Sequence, residues 1–96
     1  MILEKNVKTI EGEKKNDVFL FALSTCGWCK MTKEFLKDMG IEYSYVDVDL
    51  LDDEDSREVE KILKKFKTDP SFPKIIIDEE IIISGFDEEA IKKHIK

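Results

Sequence analysis

A chain of 96 residues with 42% hydrophobic and 40% charged side chains holds enough apolar material for one core and too much for disorder. Two cores would each be too small, so residues 1–96 are expected to form a single domain. The 22 acidic and 16 basic residues leave a net charge of −6, with Arg57 the lone arginine, which argues against binding nucleic acid, whose phosphates want clustered basic charge.

No apolar run approaches the roughly 18 residues that span a bilayer. Met1-Ile2-Leu3 is followed directly by Glu4 and Lys5, so no signal-peptide core is expected either, and the chain reads as cytoplasmic. Residues 7–10 suit a short first strand ended by Gly12. Val18-Phe19-Leu20-Phe21-Ala22-Leu23 is a continuous apolar run, as a strand buried on both faces would be. Ser24-Thr25-Cys26-Gly27 breaks that strand and offers capping groups. Trp28, Met31, Phe35, Leu36 and Met39 then recur at helical spacing, with Gly40 a suitable stop.

Residues 41–49, with Tyr43, Tyr45, Val46 and Val48, read as the next strand. Asp55 and Glu58 have capping-box spacing before a helical stripe of Val59, Ile62, Leu63 and Phe66. Pro70 and Pro73 mark a loop. Ile75-Ile76-Ile77 and Ile81-Ile82-Ile83 flank Asp78-Glu79-Glu80 as a hairpin with acids at its turn. Asp87 caps a last helix, with Phe86 stapled onto Ile91 and Ile95 extending the apolar face. The order βαβαββα, with an optional extra N-terminal strand, makes an α/β fold. Strands joined by a helical crossover run parallel and a hairpin is antiparallel, so a mixed four-stranded sheet flanked by helices is expected, with residues 18–23 central.

Residues 47–60 hold eight acids against Arg57, whereas the rest of the chain carries fifteen lysines and fourteen acids. The plain reading is a solvated loop and helix start, where acids meet the positive end of the helix dipole. A docking patch or divalent-ion site is the functional reading. The Asp-x-Asp spacing lacks the glycine of a calcium loop, so no metal site is expected.

Both cysteines fall in Cys26-Gly27-Trp28-Cys29. A structural disulfide is not expected in a reducing compartment. Zinc needs about four ligands, and the only histidine, His94, lies far off in sequence. The pair is left with its own redox chemistry. Where a strand ends and a helix begins, unpaired N–H groups and the helix dipole favour a thiolate, which makes Cys26 the expected nucleophile. Cys29, one turn on, is expected to be more buried and within disulfide reach. Lys30 and Lys33 either add positive potential or are ordinary surface charges.

Three segments together resemble the glutaredoxin family of the thioredoxin fold over residues 18–96. They are Cys26-Gly27-Trp28-Cys29, Ser71-Phe72-Pro73 before the hairpin, and Ser84-Gly85-Phe86-Asp87-Glu88 after it. The resemblance implies a dithiol–disulfide oxidoreductase, with Cys26 and Cys29 catalytic and Thr25, Gly27 and Trp28 beside the thiols. It also implies a cis Phe72–Pro73 bond next to the sulfurs, and glutathione contacts at Gly85, Phe86 and Asp87. Read from the residues alone, Pro73 is a strand-entry proline, and 85–87 are a turn glycine, a staple and a cap. Trp28 is either a platform for a partner or part of its helix's apolar stripe.

The chain departs from glutathione-using members at Leu23, where they commonly carry Lys, and at Asp69-Pro70, where they carry a basic residue and Gln. Lys67 and Lys74 are the candidates to compensate. It departs from thioredoxins at Thr25, usually Trp, and at Leu20, usually a buried Asp. The expected partners are protein disulfides, with electrons from a flavin- or ferredoxin-linked thioredoxin reductase or from glutathione. No resident cofactor is expected, and the chain is expected to be a monomer. Two further readings stand beside this one. Some glutaredoxin-like proteins bridge a [2Fe–2S] cluster between subunits with glutathione, and Gly27 in place of proline is compatible with that. A non-catalytic interaction module using residues 47–60 is the other.

Overall fold

The computed structural model of the protein describes residues 7–67 and 71–95. Strand β1 (Lys8–Ile10), β2 (Val18–Ala22), helix α1 (Gly27–Asp38), β3 (Tyr43–Asp47), α2 (Asp53–Lys65), β4 (Lys74–Ile77), β5 (Ile81–Ser84) and α3 (Glu88–His94) follow in that order. The sheet has the order β1-β3-β2-β4-β5, so the optional N-terminal strand is present and the sheet has five strands rather than four. β2 lies at the centre, parallel to β3 and antiparallel to β4. β4 and β5 form the expected hairpin, and β1 lies antiparallel on β3.

Alternate residues of the central strands serve two cores. Val18, Leu20, Ala22, Ile75, Ile77 and Ile83 pack with Cys29 and Leu36 of α1 and Ile91 of α3. Phe21, Val46 and Ile76 pack with Val59 and Leu63 of α2 on the other face. A period-two strand buried on both faces therefore reads as a continuous apolar run. Gly12, just past β1, abuts the segment entering β3, where a Cβ would stand 2.5 Å from the Ile41 carbonyl carbon. Gly40 ends α1 with φ +70, a conformation that favours glycine.

Two expectations shift. The Asp55–Glu58 box is not the start of α2. Asp52 is its N-cap and accepts the Asp55 N–H at 2.8 Å, leaving Asp55 buried inside the first turn. The strand expected over 41–49 stops at Asp47 and gives way to a short 3-10 turn, Val48–Leu50. No described helix is long and apolar enough to cross a membrane.

Candidate active site

Strand register sets the site. Ala22 pairs with Asp47, Phe21 with Lys74, and Lys74 with Ser84. The segments leaving β2, leaving β3, entering β4 and leaving β5 therefore gather at one edge of the sheet. They carry Cys26, Asp49, Phe72–Pro73 and Gly85–Asp87. The motifs that carried the resemblance are far apart in sequence and share this edge.

After Ala22 the chain turns sharply, closed by the Cys26 N–H donating to the Leu23 carbonyl at 3.2 Å. Cys26 keeps extended backbone (φ −90, ψ 119) and is the N-cap of α1. Its Sγ accepts the Cys29 N–H at 3.2 Å, so the sulfur occupies the place usually taken by a capping oxygen. Cys26 is half-buried, whereas Cys29 is 0% exposed. Both thiols are free. Burial pushes the Cys29 thiol up from 9.0 to about 12, helped by its contact with Cys26 and opposed by the Leu23 backbone and, last, by Lys33. Leu20, where thioredoxins carry a carboxylate, is fully buried in the same apolar cluster.

The helical face differs from the expected stripe. Cys29, Thr32 and Leu36 are the buried residues of α1, whereas Trp28 and Met31 are exposed, Trp28 by 61%. Thr32 could be buried because its hydroxyl is satisfied, donating to the Trp28 carbonyl at 2.8 Å. The Trp28 ring instead lies 6.3 Å from that of Phe86, and Phe86 meets Phe35 edge-on at 5.7 Å. This aromatic shelf begins two residues past Cys26. Thr25 and Gly27 are exposed, and a Cβ at Gly27 would meet nothing within 4 Å.

The Phe72–Pro73 bond is cis. Phe72 is half-buried and packs against both cores, and Pro73 is buried. The Pro73 carbonyl accepts the Gly85 N–H at 2.9 Å, which ties the two flanking segments together. Asp87 caps α3, its carboxylate accepting the Ala90 N–H at 3.1 Å. Asp69 and Pro70 lie outside the described residues. Lys74 is not a surface contact for a glutathione carboxylate: it is 0% exposed, its ammonium donating to Ser71 Oγ at 3.0 Å and Ser84 Oγ at 2.9 Å. Lys67 is exposed beyond the end of α2.

Half of the eight acids of residues 47–60 have identified partners. Asp47 pairs with Lys33 at 2.9 Å, whose ammonium also sits 4.4 Å from the Tyr45 ring centre. Asp49 accepts both the N–H and the hydroxyl of Ser24, Asp52 caps α2, and Glu58 meets Lys61. Among the described residues no group of three or more His, Cys, Asp or Glu is placed to hold a metal ion. A [2Fe–2S] cluster takes about four thiolates. This chain has two cysteines, one of them fully buried with its proton held, so its residues alone do not fit a cluster.

The family description Glutaredoxin matches residues 18–82. The chain belongs to the glutaredoxin family. It is 40% identical over 77 residues to an uncharacterised glutaredoxin-like 8.6 kDa protein of the rubredoxin operon of Clostridium pasteurianum, covering 80% of this chain and 95% of that one. It is 36% identical over 88 residues to a probable monothiol glutaredoxin 2 of Rickettsia typhi, covering 85% and 75% respectively. Among solved structures, Methanosarcina acetivorans methanoredoxin superposes with a TM-score of 0.83 at 38% identity, over 88% of each chain. The glutaredoxin of Methanosarcina mazei Go1 gives 0.85 at 36% identity, over 92% of this chain and 85% of that one. Glutaredoxins are thiol oxidoreductases of the thioredoxin fold that can use glutathione as reductant, and the fold described above is theirs.

Proposed function

We propose that this protein reduces protein disulfides through the Cys26–Cys29 dithiol, receiving electrons from a thioredoxin-reductase-type donor in preference to glutathione. The Cys26 sulfur at the N-cap of α1 carries the reading, because a thiolate there faces the positive end of the helix and one backbone N–H. The Cys26 thiolate attacks one sulfur of the substrate disulfide, forming a mixed disulfide and releasing the other sulfur as a thiolate. Cys29 then gives up its proton to solvent and attacks the Cys26 sulfur. The remaining substrate thiol leaves reduced, and a Cys26–Cys29 disulfide is left behind. Two electrons and two protons from the external donor restore the dithiol.

Trp28 and Phe86 offer the substrate an aromatic shelf beside the reacting sulfur, which suits an apolar residue next to a protein cystine. The preference against glutathione rests on Leu23 in place of a cation and on Lys74 being engaged inside the protein. Reduction of one protein disulfide, assayed side by side with a thioredoxin-reductase system and with glutathione plus its reductase, tests the choice of donor. At least about tenfold faster turnover with the first is expected. Equal or faster turnover with glutathione contradicts it.

A further inference from the structure

Asp49 belongs to the acidic run and lies after β3, outside every motif of the family resemblance. Its two oxygens grip one residue of the turn that delivers the nucleophile: Oδ1 accepts the Ser24 N–H at 2.8 Å and Oδ2 the Ser24 hydroxyl at 2.5 Å. Ser24 is the second residue of the turn closed by the Cys26 N–H and the Leu23 carbonyl. That turn bond leaves the Ser24 N–H unused, and Asp49 takes it. The chain from Ala22 to Cys26 is thus anchored by β2 at one side and by the sulfur's own capping bond at the other, with Asp49 fixing the middle.

We propose that Asp49 is a positioning residue for the nucleophile: by gripping Ser24 it holds Cys26 Sγ at the start of α1. The proposal rests on Cys26 being the reactive thiol. The Ser24 bonds also hold the Asp49 carboxyl below its ordinary 3.8, so the grip is ionised throughout the neutral range. Loss of the grip slows Cys26 chemistry, because the sulfur leaves the capping geometry more often.

The test is the rate of Cys26 alkylation by iodoacetamide at pH 7, well below each variant's melting temperature. Asp49→Ala is expected to slow it about three- to tenfold, the range that loss of one or two modest hydrogen bonds allows. Asp49→Asn keeps an acceptor for the Ser24 N–H and is expected to stay within about twofold of the parent. Asp78→Ala removes a matching carboxylate grip at the other end of β2, on the Asp17 N–H and Asn16 Nδ2, and is expected to leave the rate unchanged. A parental or faster rate in Asp49→Ala overturns the proposal, as does equal slowing in Asp49→Ala and Asp78→Ala. Should Asp49→Ala not fold, Ser24→Ala takes its place with about two- to threefold slowing expected, and a parental rate there overturns the proposal equally. If the parent's Cys26 alkylates no faster than Cys29, the nucleophile assignment itself fails, which is a different outcome from any of these.

Discussion

The two ends of β2 are fastened by the same device. Before Val18, Asp78 accepts the Asp17 N–H and the Asn16 Nδ2 hydrogen, each at 2.9 Å. After Ala22, Asp49 accepts the Ser24 N–H and hydroxyl. Each carboxyl is held below its ordinary 3.8 by the bonds it accepts. Yet the first end only abuts the hairpin turn, where Asp78 and Glu79 take positive φ (53 and 59), whereas the second leads into a helix that starts at a sulfur. Similar carboxylate grips thus serve shape at one end and reactivity at the other. What separates them is the residue that the fixed backbone presents next.

The largest effect expected from that difference is all-or-none. Cys26→Ser abolishes disulfide reduction, and Cys29→Ser accumulates a mixed disulfide on Cys26 that mass spectrometry of the intact protein detects. Asp78→Ala at the other end retains turnover. Turnover by Cys26→Ser, or adduct-free Cys29→Ser after incubation with a disulfide substrate, would erase the functional contrast.

A graded effect is expected in alkali, from Cys29 at the sulfur end and from Tyr43 on β3. Cys29 and Tyr43 are both raised to about 12 in the folded protein, mainly by burial, from 9.0 and 10.0. The folded state holds these protons more tightly than the unfolded one, so their contribution to stability is complete below pH 9 and is lost as pH climbs toward 12. Each group lowers unfolding free energy by at most about 1.4 kcal/mol per pH unit in that window. Denaturant titrations between pH 8 and 10.5 check this, with Cys29→Ser expected to flatten the slope. An unchanged slope in that variant would mean that Cys29 is not held protonated by burial.

How much of this was legible in the sequence depended on reach along the chain. β2, α1, the Ile hairpin and the Asp87 cap rest on periodicity and on contacts within one turn, which a linear reading captures. The CxxC at a strand-to-helix junction was equally legible, since capping is local. The Ser24–Asp49 and Asp17–Asp78 bonds join residues 25 and 61 positions apart, and no local pattern announces them. Asp49 therefore looked like one more solvated acid. Lys74 read as a candidate cation for glutathione, whereas the burial of its ammonium against Ser71 and Ser84 emerges only from the β4–β5 pairing. The helical stripe misled because Trp28 is apolar by type but lies past the edge of the core, whereas Thr32 is polar by type and lies inside it.

The account stands on the contrast between a reachable sulfur at the head of α1 and a shielded one a turn later. Competitive alkylation of the reduced, folded protein at pH 7, read out peptide by peptide, tests it most directly. With the Cys29 thiol pushed up to about 12 by burial, its thiolate is far scarcer than an ordinary thiol's at pH 7, and burial slows its reaction further. Label is therefore expected on Cys26 at least about a hundredfold faster than on Cys29. Equal labelling of the two, or faster labelling of Cys29, contradicts the account.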